Sequence, residues 1–148
     1  MTSIHRWRRA AFTILLGTIP LFAIAASPAA AATGDQNRVV MQVSDNDPAK
    51  WNLALNNAHN LQHDLGPANV KIEIVAYGPG IAMLQAESVV GNRIGDAVHA
   101  GVTVSACQNT MHGHKLTKAD MLNGIAYVPA GVVEIMKREQ EGWAYIRP

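Results

Sequence analysis

From Val39 onward, apolar positions along the chain switch between two spacings. Val39-Val40-Met41-Gln42-Val43 reads as a buried strand, and Ser44 to Asp47 as a turn. Asp47-Pro48 opens a helix, with a side-chain acceptor at the cap and proline in the first turn. Trp51, Ala54, Leu55, Ala58, Leu61 and Leu65 then follow helical spacing until Gly66-Pro67 ends it. Val70 to Tyr77 predicts a second strand, with Val70, Ile72, Ile74 and Ala76 alternating against Lys71 and Glu73. Gly78-Pro79-Gly80 breaks it, and short helices are expected over Ile81 to Glu87 and Asn92 to Ala100. Val102 to Ala106 predicts a third strand with Cys107 at its end. A capping box, Thr117 to Asp120, starts a short helix reaching Leu122. Ile125 to Val128 is a fourth strand, Ala130 to Glu141 a helix closed by Gly142, and Trp143 to Ile146 a last strand. This alternation predicts an α/β fold with a mainly parallel sheet of about five strands.

The first 32 residues follow a different pattern. His5, Arg6, Arg8 and Arg9 form a basic start, Ala10 to Ala26 is an uncharged run, and Ala29 to Ala32 are small. That is the order of a cleavable export signal, with cleavage expected after Ala31 or Ala32. A transmembrane anchor is the competing reading, because the run is about as long as a thin span allows. The alanines, with no stop-transfer charges after them, favour cleavage. The expected organisation is a signal peptide over 1–32, a flexible lead-in over 33–37 and one domain over 38–148. The mature chain is then periplasmic or secreted, with no further membrane span.

The chain has 148 residues and a formal net charge of +1. Without Arg6, Arg8 and Arg9, nine basic residues face eleven acidic ones, a net charge of −2. This balance gives no electrostatic footprint for nucleic acid. The single cysteine excludes an intramolecular disulfide, a CxxC redox pair and a multi-cysteine zinc site. In an oxidising compartment an unpaired thiol needs an explanation.

Ligands of open α/β sheets bind beyond the carboxyl ends of the strands. Ser44-Asp45, Gly78-Pro79-Gly80 and Cys107-Gln108-Asn109-Thr110 all fall there. Backbone N–H groups after a strand end would stabilise a Cys107 thiolate, which is both nucleophile and metal ligand. The competing reading is an inert core cysteine packed like a small hydrophobe. Cys107, Met111, His112 and His114 form a second candidate set, suited to copper or zinc. It matches no strict metal signature and reads more simply as a polar surface loop. His59 and His63, four apart on the first helix, lack a third ligand. Gly78-Pro79-Gly80 lacks the spacing of a phosphate loop and reads as a sharp turn with room for a ligand.

Tyr77-Gly78-Pro79-Gly80, Ala106-Cys107-Gln108-Asn109-Thr110, Pro129-Ala130-Gly131-Val132 and Glu141 to Pro148 occur in that order. Together they resemble the DsrE/DsrF-like family, over about residues 38 to 148. The resemblance implies a three-layer αβα sandwich related to the flavodoxin-like sheets. It implies homo-oligomers, trimers or hexamers, and no cofactor. It also implies a cysteine after a strand that takes up sulfane sulfur as a persulfide and passes it to a partner thiol. Cys107 matches that acceptor, and Asn109 and Thr110 match the short motif beside it. Gly78, Pro79, Gly80, Asn109 and Thr110 are then expected to shape the pocket. An export signal and the stretch from Met111 to His114 depart from the family pattern.

Overall fold

The computed structural model describes residues 36–148. The chain divides into two units between Ala32 and Thr33, and the 1–32 signal reading lies outside the described residues. No described helix is long and apolar enough to cross a membrane.

Five strands form one sheet in the order β4-β3-β2-β1-β5. They are β1 (Asn37–Val43), β2 (Val70–Ala76), β3 (Thr103–Cys107), β4 (Ala126–Val128) and β5 (Ala144–Ile146). Every pairing is parallel, so the expected α/β class is correct and the sheet is wholly rather than mainly parallel. The helices are α1 (Pro48–Leu65), α2 (Gly91–His99), α3 (Gln108–Gly113) and α4 (Gly131–Gln140). Strand β1 begins at Asn37, inside the expected lead-in, and Gln36 already donates to the Ala68 carbonyl.

Helix α1 forms where the sequence predicts it. The Asp47 side chain accepts from the Ala49 N–H at 2.8 Å, satisfying a donor that the helix cannot. Its apolar stripe buries Trp51, Ala54, Leu55 and Ala58. Those residues, with Ile94 of α2, cover Val39, Met41, Ile72, Ile74, Val104 and Ala106 on one sheet face. Successive strand residues point to opposite faces. Val40, Val75 and Val128 therefore pack on the other face, against Ile135 of α4. Three layers result, with the larger core on the α1/α2 side.

Three local expectations are corrected. The segment expected to be a helix over Ile81 to Glu87 is a 3-10 run, Gly78–Leu84. Gly80 explains the tight path: a Cβ there would lie 2.3 Å from the Val43 carbonyl oxygen. The capping box at Thr117 is real, with the Thr117 N–H and hydroxyl both on Asp120, but it caps only one 3-10 turn, Lys118–Asp120. The expected polar loop after Cys107 is instead helix α3.

Glu73 is the other departure. Its polar character in an alternating strand suggests solvent, yet it is 1% exposed beneath α4. One carboxylate oxygen accepts from the Ser105 hydroxyl at 2.6 Å, the other from Arg138 Nε at 2.6 Å. Arg138 also meets Glu134 and Glu141, and its guanidinium lies 4.7 Å from the Trp143 ring centre. A buried carboxylate persists only with such partners.

Candidate functional site

Cys107 ends β3 and caps α3. Two neighbouring strands part there. After β3 the chain turns toward the α1/α2 side, where Met111 of α3 joins the larger core. After β4 it turns to the opposite face, where α4 packs. A crevice at the carboxyl end of adjacent strands whose helices diverge is where α/β sheets hold ligands. The Asn109 N–H donates to the Pro129 carbonyl at 3.1 Å and holds the two turns together.

The Cys107 sulfur faces a convergence of donors. The Thr110 N–H lies 3.5 Å from Sγ. The Thr110 hydroxyl and the N–H groups of Gly131 and Asn109 also favour its thiolate, the Asn109 N–H being shared with the Pro129 carbonyl. Thr110 Oγ1 accepts from the Gly78 N–H at 2.9 Å, which leaves its own hydrogen for the sulfur. Burial pushes the thiol up, and it is the largest single influence. The four donors outweigh it together, so the thiol ionises below its ordinary value. The residue is 4% exposed, so the sulfur sits just below the rim.

The structure thus brings Gly78, Asn109 and Thr110 to Cys107. Gly80 acts by close packing under β1, and Pro79 lies in the first turn of the 3-10 run. The metal alternative is not assembled. Because α3 is a helix, Met111 is buried in the core while His112 and His114 are exposed. Among the described residues no group of three or more His, Cys, Asp or Glu side chains can hold a metal ion. The His59 and His63 ring centres are 6.4 Å apart, and His63 contacts Asp64.

Sequence reasoning missed Tyr77 and Gly131 as neighbours of the thiol. Ala76 pairs with Ala106, which sets Tyr77 beside Cys107 one residue further on. A Cβ on Gly131 would lie 2.9 Å from Tyr77 Cβ, so this glycine lets the start of α4 settle over both residues. The signal was present: both residues fall in the short motifs around Gly78-Pro79-Gly80 and Pro129-Ala130.

No family model and no curated protein matches the chain. A solved structure does: the protein of unknown function MTH1491 from Methanobacterium thermoautotrophicum is 37% identical. The match covers 76% of this chain and 99% of that one, with a TM-score of 0.72. The chain belongs to the MTH1491 family. Two further structures share the fold at low identity. The conserved protein of unknown function BT1422 from Bacteroides thetaiotaomicron is 14% identical, with a TM-score of 0.65, over 79% of this chain and 99% of that one. The ychN protein of E. coli is 12% identical, with a TM-score of 0.59, over 76% and 99%. All three matches take in nearly the whole of the other chain.

Proposed function

We propose that this protein is an exported sulfur carrier of the DsrE-like kind, with Cys107 as the acceptor. The observation that supports this most is the set of Thr110, Asn109 and Gly131 donors around the lone thiol. Donors that favour thiolate also favour the anion of a persulfide on the same residue. Loading transfers a neutral sulfur atom. The Cys107 thiolate attacks the outer sulfur of a persulfide R–S–SH, a new S–S bond forms, and R–S⁻ leaves with the old bonding pair. A second thiolate then attacks the outer sulfur of Cys107–S–SH and returns Cys107 as thiolate. No net oxidation occurs, so neither a second cysteine nor a redox cofactor is needed.

In this reading residues 1–32 are removed on export, and the donor and the acceptor thiol lie outside the cytoplasm. The mature chains assemble as trimers or hexamers. Exposed Val132, Val133 and Met136 on α4 suit such an assembly. The protein should gain one sulfur atom on Cys107 when treated anaerobically with polysulfide, and release it to a small thiol. Cys107→Ser should fold normally and gain none; loading that survives this substitution contradicts the proposal.

A second reading, an inert cysteine in a binding module, draws on the burial of Cys107. It predicts labelling of the folded protein far slower than of the unfolded chain at neutral pH.

A further inference from the structure

Beside the thiol, on the α4 face, the carboxyl rim of the sheet carries polar groups that sulfur loading from a plain persulfide does not use. Tyr77 is set next to Cys107 by the β2–β3 register. Gln42 follows Val40 on the same face of β1, and its Oε1 accepts from the Tyr145 hydroxyl at 2.5 Å. Tyr145 itself pairs in register with Val40. Arg147, two residues beyond Tyr145, reaches Asp45 at 3.6 Å and is 54% exposed. The ends of β2 and β5, with β1 between them, thus place two phenols and a guanidinium on the same face and rim as the thiol. Among the described residues the Tyr77 hydroxyl has no hydrogen-bond partner, so its donor is available to a ligand.

The Tyr77 hydroxyl and the Arg147 guanidinium are donors that suit a compact oxyanion, with the Tyr145 hydroxyl, which donates to Gln42, lining the rim. We infer that the Tyr77, Tyr145 and Arg147 rim is a subsite for the oxyanion head of a sulfur donor whose sulfane sulfur is carried on a sulfonyl group. The class includes inorganic thiosulfate and organic thiosulfonates. This deepens the carrier reading and rests on it. Arg147 and the Tyr77 hydroxyl hold the oxygens while the terminal sulfur points at Cys107. With thiosulfate, the thiolate attacks the outer sulfur and forms Cys107–S–S⁻. The sulfur–sulfur bond of the donor breaks, and its electron pair leaves with sulfite. Charge and atoms balance, and no other reactant is required. Electrostatics agree with the grouping: burial first, then Tyr145 and Cys107, raise the Tyr77 phenol, while Arg147 lowers it. Tyr77 therefore stays a hydrogen-bond donor across neutral pH.

The test compares two sulfur sources on the whole protein, thiosulfate and inorganic polysulfide, which has no oxygens. The readout is the rate at which one sulfur mass appears on Cys107. Thiosulfate should load the native protein. Tyr77→Phe and Arg147→Gln should each slow loading from thiosulfate about tenfold, as expected for loss of a hydrogen bond to a charged group. Loading from polysulfide should change less than about threefold. Methanethiosulfonate, released as sulfinate, tells an organic head from the inorganic one. Loading from polysulfide but from neither oxyanion donor overturns the subsite and leaves the carrier reading standing. Equal slowing with both sources, or none with either, also overturns it. No loading from any source defeats the carrier reading itself.

Discussion

Thr110 shows how one side chain sets the chemistry of another. Its hydroxyl accepts from Gly78 and donates to the Cys107 sulfur, so a threonine in the first turn of a short helix links two strand ends. Thr110→Val removes that donor and keeps the shape. The alkylation rate of Cys107 should then reach half-maximum at a higher pH than in the native protein. At neutral pH it should be about five- to tenfold slower, as measured with iodoacetamide across a pH series. The sign of the linked stability follows. The folded thiol ionises below the unfolded one, so thiolate formation adds stability fully above the unfolded pKa. The gain is lost as pH falls through the lower folded value. Chemical denaturation at rising pH should show this increment in the native protein and not in Cys107→Ser. The sequence placed Cys107, Asn109 and Thr110 after β3. Gly131 stood in a motif of its own, but its place at the thiol follows only from the packing of α4, 24 positions along the chain.

Helix α4 is fixed to the sheet by charge as much as by apolar contact. Arg138→Met strands the Glu73 carboxylate at 1% exposure and should cost about 3–5 kcal/mol in urea unfolding. Converting both residues to leucine and methionine, Glu73→Leu with Arg138→Met, should cost far less, because no buried charge remains. Glu73 was illegible from its own strand for this reason. The strict alternation of β2 assigns it to the polar face, and only the partner helix shows that this face is covered. The failure at α3 has a related cause. Six residues with one histidine and a glycine have little helical pattern, and the Cys107 cap and Met111 burial supply what local propensity lacks. Where caps and period agreed, as at Asp47-Pro48 and along α1, the element formed as read.

At the scale of the whole molecule, the parallel order β4-β3-β2-β1-β5 carries the reading. It gathers the ends of β1, β2, β3 and β5 on one rim, where Tyr77, 30 positions earlier in the chain, lies beside the lone cysteine. The α/β alternation made the class and the rim legible; the side chains sharing the rim depended on register. The apolar strip of Val132, Val133 and Met136 belongs to this scale as well. If copies associate through it, Val132→Glu with Met136→Glu should yield monomers in light scattering without loss of helix content. Unchanged mass would place the interface elsewhere. The central claim concerns the thiol. Its most direct test is a native mass spectrum of the anaerobically purified protein before and after polysulfide treatment, with the modified peptide mapped. The account predicts one added sulfur per chain, located on Cys107 and removed by a small thiol. An unmodified protein, or sulfur that maps elsewhere, would contradict it.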